Sequence, residues 1–173
     1  MKLNIVNTLL LVGILTYLVI GQIIDTDEKK QAYVVTGELF AEFDYQKELD
    51  TEFRALKENK ESDLAMFKNQ LITLENKIRS GKANENEAAE YQTGFDHFRN
   101  MEYQINQELT ILNDDYSLKI WDKLNSLIKV YGEENEYDVI FGASGEGNIM
   151  YATEDLNITK EVIDYCNTKY SGK

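Results

Sequence analysis

Few residues in this chain have the types and spacing that chemistry needs, and the most conspicuous of them form a glycine-rich run, FGASGEGNIMYA, at positions 141–152. Gly142, Gly145 and Gly147 lie between two apolar stretches, as they would in a cradle for a phosphate. Such a cradle also needs its glycines to lead into a helix, whose N-terminal amides, usually with a lysine, meet the negative charge. Here the run carries Glu146, a strand-like stretch follows it, and the spacing is not G-x-G-x-x-G. It reads as a turn in which the glycines supply positive φ between two strands, residues 137–141 and 148–152. The other candidates are sparse. His97, the single histidine, sits at a polar position beside a helical seam and reads as a surface residue. Cys166, the single cysteine, reads as a small core residue; alone it supports neither an internal disulfide nor a cysteine-based structural zinc site. The acidic pairs Asp114–Asp115 and Glu133–Glu134 lie in charged helical or turn contexts, where solvated faces explain them better than acid–base work. The reading is therefore of a protein that is not an enzyme, with no catalytic residues, no metal and no cofactor.

The elements that carry these residues follow from composition and periodicity. The chain has 173 residues and no proline, against an average usage of roughly 5%. That fits long helices, which proline would kink or break. Thirty-one acidic residues against 18 basic ones give a net charge of −13, which argues against nucleic acid as a partner and against electrostatic binding to anionic lipid. The N-I-T at 157–159 matches a glycosylation pattern by composition alone.

At the N-terminus, Lys2 precedes an apolar run from about Leu9 to Ile24 that is broken only by Gly13, Thr16, Gly21 and Gln22. This is an export signal, either a cleaved signal peptide or an uncleaved anchor. Residues 5–24 approach the ~20 that span a bilayer, and no A-x-A-like cleavage site appears, Val19 and Gly21 being poor candidates, which favours the anchor. Lys2 before the run and Asp25, Asp27 and Glu28 after it put the N-terminus in the cytoplasm and the body outside the inner membrane.

Beyond it, residues 32–36 read as a strand, with Gly37 allowing a turn. From Asp44 to about Ser80, Tyr45, Leu49, Phe53, Leu56, Leu64, Phe67, Leu71, Leu74 and Ile78 recur at coiled-coil spacing, with Lys60 filling a gap at a stutter. Gly81 then supplies a stop, and Asn84 or Asn86 a cap for a second helix from about Glu87 to Tyr131. Its seam is Tyr91, Phe95, Phe98, Glu102, Ile105, Leu109, Leu112 and Tyr116, continued by Ile120, Leu124, Leu127 and Tyr131. The arms reach roughly 55 and 65 Å at ~1.5 Å per residue. Off the seam, Met66, Ile72, Tyr103, Ile111 and Leu118 need a further apolar surface, either a client chain or a neighbouring hairpin. Thr159 is expected to cap a last helix with Val162, Ile163, Cys166 and Tyr170 on one face. The expected class is α+β, a long antiparallel helical hairpin projecting from a small β-strand body. It divides into residues 1–24 (signal peptide or anchor), 25–43 (first body segment), 44–131 (arm) and 132–173 (second body segment).

The stretches AYVVTGELFAEF and YGEENEYDVIFG…NIMYA…LNITKEVIDY, on either side of that hairpin, resemble the OmpH/Skp family of periplasmic chaperones. The likeness covers nearly all of the chain after the N-terminal segment, although the hairpin matches only in length and periodicity. It implies a homotrimer whose body is a small barrel of strands from three protomers, with Val34, Val139, Ile140, Phe141, Ile149 and Tyr151 in it. Three arms would surround a cavity that holds unfolded outer-membrane or envelope proteins without ATP, with Met66, Ile72, Tyr103, Ile111 and Leu118 as the client-binding residues. The alternative is a membrane-anchored trimeric coiled-coil scaffold of the cell envelope without client-holding activity. Two features depart from the family. Its well-studied members have basic arms, whereas residues 43–131 hold 12 Lys/Arg against 17 Asp/Glu. An uncleaved residue 5–24 segment would also tether this periplasmic protein to the inner membrane.

Overall fold

The computed structural model describes residues 11–14, 16 and 29–171. The segment read as signal peptide or anchor, residues 1–24, lies outside the described residues apart from 11–14 and 16, which are helical. Among the described residues, no helix is long and apolar enough to cross a membrane.

The body is built on two parallel strands, β1 (Gln31–Val35) and β2 (Val139–Ala143), in register from Gln31↔Val139 to Val35↔Ala143. Parallel neighbours need a long crossover, and the helical hairpin is that crossover. Both strands start and end slightly away from the expected bounds, because helical bonding competes at their ends. Thr36 opens a helix rather than closing β1, and the Tyr137 amide donates to Gly132 O at 2.9 Å as part of a helix C-terminus. Side chains alternate across a strand, so the register sorts the sheet into two faces. Ala32 and Val34 are buried, and Ile140 half-buried, against the helices; Tyr33, Val35, Val139 and Phe141 belong to the opposite face.

The third expected strand, residues 148–152, is not formed, and the described sheet has two strands. The Asn148 side chain accepts from Ser144 N at 3.2 Å and Ser144 Oγ at 3.1 Å and donates to Gly142 O, so it closes the loop where a hairpin ladder would have run. Gly145 and Gly147 adopt positive φ as expected, at 79° and 90°. Gly142 serves another purpose: a Cβ there would lie 2.8 Å from Thr36 Cγ2.

Helix α1 (Thr36–Glu42), which includes Gly37, leads through a single extended residue, Phe43, into α2 (Asp44–Arg79). Phe43 is buried in the core, and the Asn167 side chain bridges the break, donating to Glu42 O at 3.0 Å and accepting from Asp44 N at 2.8 Å. Asn167 belongs to α4 (Thr159–Tyr170), which follows a 3₁₀ turn, Glu154–Leu156. Thr159 does not cap α4 as expected. Its hydroxyl accepts from Val35 N at 2.8 Å and donates to Asn157 Oδ1 at 2.6 Å, satisfying the end of β1 instead. Leu39, Phe43, Leu49, Ile120, Leu124, Ile158, Val162 and Cys166 complete the core, each such apolar side chain contributing about 1.5–3 kcal/mol when fully buried.

The hairpin arms are α2 and α3 (Glu85–Glu134), 36 and 50 residues, or about 54 and 75 Å. Gly81 at φ 66° ends α2, with the Gly81 amide donating to Ile78 O and the Lys82 amide to Lys77 O, both at 3.0 Å. Asn84 opens α3 with a reciprocal capping box to Glu87. Away from the body, two helices alone bury one narrow seam, so along the arm only Leu71 and Leu109 are buried, whereas Leu56 and Phe95 remain exposed. Glu102, placed on the seam by its spacing, is exposed; Met101 beside it is half-buried. At the stutter, Lys60 Nζ crosses to Glu108 Oε2 at 2.5 Å. Gly94 lets the arms approach closely, since a Cβ there would lie 2.8 Å from Leu71 Cδ2.

Candidate client-binding and assembly surfaces

The pairings Lys77 with Glu87, Phe67 with Phe98, Lys60 with Glu108 and Tyr116 with Glu52 place the start of α2 opposite about residue 124 of α3. Helix α3 therefore runs on for about ten residues, roughly 15 Å, below the root of the arm. Its end, opposite the tip, is the base of the molecule. There Glu136 occupies the left-handed position at φ 58°, with the Tyr137 amide donating back to Gly132 O. Lys30, just before β1, is held against this base. Its amide donates to Asp138 Oδ2 and its Nζ to Asn135 O, each at 2.7 Å, and Nζ lies 4.2 Å from the Tyr137 ring centroid. On the same end Glu134 accepts from the Tyr165 hydroxyl at 2.9 Å and from Lys169 Nζ at 3.4 Å, bonds that hold its carboxyl below the usual carboxylate range.

Two apolar surfaces remain open above this base. The first lies on the arm. Met66, Ile72, Tyr103, Ile111 and Leu118 are all exposed, the last three at 66% each. Tyr103 and Ile111, two turns apart on α3, line one shallow groove of about 530 Å³ together with Lys60, Asp63 and Glu108. Leu118 continues the row at i+7 from Ile111, near the same helical azimuth. Met66 and Ile72 stand on α2 outside that groove, and six positions apart on a helix they do not share a face.

The second surface lies on the uncovered side of the sheet. Tyr33, Phe141, Ile149, Met150, Tyr151 and Leu156 contribute to a concavity of about 510 Å³. Phe141 is 47% exposed, Tyr151 84% and Met150 88%. Of the six residues expected in a trimer body, Val139, Phe141 and Tyr151 are exposed and Ile149 is half-buried. Val34 and Ile140 instead face the protomer's own core, where Ile140 packs beside Gly132. Met150 and Leu156 line the same concavity, and nothing in the local sequence pattern marks either of them.

The chemistry-bearing residues have modest roles. His97 is exposed and meets the Phe67 ring edge-on at a centroid distance of 5.5 Å. Burial pushes the Cys166 thiol up to about 11, which disfavours the reactive thiolate. Among the described residues, no group of three or more His, Cys, Asp or Glu side chains is arranged to hold a metal ion.

No curated protein matches the chain. The model of the family described as outer membrane protein (OmpH-like) matches residues 30–165, which span both body segments and the whole hairpin between them. With both strands, the crossover hairpin and most of α4 inside that match, the chain belongs to the OmpH-like family of outer membrane proteins.

Proposed function

We propose that the protein is an ATP-independent holdase of the periplasm, which binds unfolded outer-membrane or envelope proteins between the arms of a homotrimer. Family membership supports the chaperone reading. The observation that carries the holding site is the row Tyr103, Ile111 and Leu118, each two-thirds exposed on the arm and turned away from the seam. Burying what remains open on each contributes about 1–2 kcal/mol, so binding is a sum of weak apolar contacts spread along a chain that has no fixed shape. Such contacts require neither nucleotide nor defined client sequence. The uncovered sheet face with Phe141, Met150 and Tyr151 supports assembly, because a two-stranded sheet leaves edges and an apolar face that other protomers can cover.

The test is aggregation of a denatured β-barrel protein diluted into buffer with wild type or with the triple variant Tyr103→Ser, Ile111→Ser, Leu118→Ser. The variant is expected to protect markedly less, with unchanged circular dichroism and trimer mass, since the seam is untouched. Raising salt should matter little for net-acidic arms. Equal protection by both proteins would remove these residues from the site. A wild-type trimer that protects no client would favour the envelope-scaffold reading.

A further inference from the structure

We infer that the outward face of α3 selects client segments in which lysine or arginine stands beside apolar side chains, so that an unfolded chain is held by preference at its cationic stretches. This rests on the holdase reading and adds the charge of what is held. The observation behind it is what surrounds the row Tyr103, Ile111 and Leu118. At about 100° per residue, Asp96, Asp114, Asp115 and Asp122 lie within about 50° of the line through Ile111 and Leu118. Arg99, Lys119 and Lys123, the cations of that stretch of α3, lie about 90° or more away from it.

Some of the carboxylates nearby are already neutralised. Asp115 Oδ2 meets Lys119 Nζ at 2.6 Å, and Glu108 Oε2 meets Lys60 Nζ at 2.5 Å. Asp96, Asp114 and Asp122 are exposed and, among the described residues, form no ion pair; the same holds for Asp63 on α2. The groove of about 530 Å³ repeats the pattern at close quarters. Met101, Tyr103 and Ile111 give it apolar walls, Gln104 and Gln107 offer amides to a main chain, and with Lys60 matched by Glu108 the charge left over is that of Asp63.

A carboxylate beside an exposed apolar side chain suits lysine and arginine, whose methylene stems cover apolar surface while the charged head reaches the acid. The Tyr103 ring adds a face on which a cation can rest. A second copy of this face is a poor occupant, because it would set Asp114 and Asp122 of one chain against the same like charges of the other. A whole client carries segments of both signs, so its overall protection still responds little to salt. The preference is read segment by segment.

The probes are three fluorescent, unstructured peptides with the same tyrosines and leucines, differing only at four positions that are all Lys, all Gln or all Glu. Their binding to the full chain is followed by anisotropy. At low salt the Lys peptide should bind about tenfold more tightly than the Glu peptide, with the Gln peptide between them. The spread should close at ~1 M salt, where the screening length is about 3 Å. The order should be lost in the arm variant Asp63→Asn, Asp96→Asn, Asp114→Asn, Asp122→Asn and kept in a body variant of equal charge, Glu133→Gln, Glu136→Gln, Glu161→Gln, Asp164→Asn. Three peptides bound alike by a wild type that still suppresses β-barrel aggregation would overturn the charge preference and leave the holdase reading standing. An order that survives in the arm variant, or disappears in the body variant, would trace to the net charge of −13 and overturn the site. A changed assembly mass in the arm variant would show that this face meets a neighbouring arm, and would overturn it too. Wild type that binds no peptide would overturn the inference and, if it also protected no client, the holdase reading with it.

Discussion

Replacing Phe141 with Ser should separate the protomers without unfolding them, and the size of the effect follows from one exposure. Phe141 lies on the sheet face turned away from the protomer's core and is 47% exposed. Full burial of such a side chain contributes at most about 3 kcal/mol, so covering the open half in a trimer contributes about 1.4 kcal/mol per protomer and roughly 4 kcal/mol per assembly. At 1.4 kcal/mol per factor of ten, the association constant should fall about a thousandfold. Because three chains assemble, the half-dissociation concentration follows the inverse square root of that constant and should rise about thirtyfold. Phe141→Asp should do more, since it also places a carboxylate where water is excluded. Ile140→Asp is the contrasting variant. Ile140 Cδ1 lies 3.5 Å from where a Gly132 Cβ would be, inside the protomer, so a charge there should cost the fold itself. Sedimentation velocity across a concentration series, with circular dichroism on the same samples, reads both effects. A folded wild-type monomer at micromolar concentration would rule out the trimer, and an unchanged midpoint for Phe141→Ser would remove Phe141 from its interface.

Three further outcomes are expected. A small polar insertion after Lys82, in the exposed tip, should leave the sedimentation of the trimer unchanged, and its loss would show that the arms hold the assembly together. Glu136→Gly should raise stability against urea by about 1 kcal/mol, because Glu136 occupies a left-handed position at φ 58° that glycine adopts without strain. Glu134 should contribute to acid sensitivity. Its carboxyl is held below its ordinary 4.5 by the Tyr165 hydroxyl and then by Lys169, so the stability it adds is present above that value and lost as pH falls through its folded value. Glu134→Gln should flatten the stability profile in that acidic window, and an unchanged profile would show that the pair is fully screened.

The arm was the most legible part of the chain, because its signals are local and repeat. The 3–4 spacing of apolar residues, the Gly81 stop and the Asn84 cap each act within a few residues, and the helices begin at Asp44 and Glu85 close to where the pattern places them. What the sequence hid depends on contacts between distant residues. Asn167 looks like any polar helical residue until Glu42 O and Asp44 N converge on it. Thr159 has the type and place of a cap, but the free amide of Val35 competes for its hydroxyl and wins. Residues 148–152 alternate like a strand, yet the Asn148 side chain bonds Ser144 and Gly142 and closes the loop where a ladder would have run. Gly94 carries no signal in α3 alone, since its reason is Leu71 on the other arm. On the candidate surfaces, polarity periods correctly exposed Tyr103, Ile111 and Leu118, but they could not bring Tyr103 and Ile111 into one groove with Lys60.

Titration of light scattering asks whether the arms hold an unfolded chain in a trimeric cavity. A denatured β-barrel protein is diluted into rising concentrations of the wild-type protein, without nucleotide, and the residual scattering is followed. Scattering is expected to fall to a plateau at about three protomers per client, one trimer enclosing one chain. Scattering that stays at the level of the client alone, at every ratio up to a large excess, would contradict it.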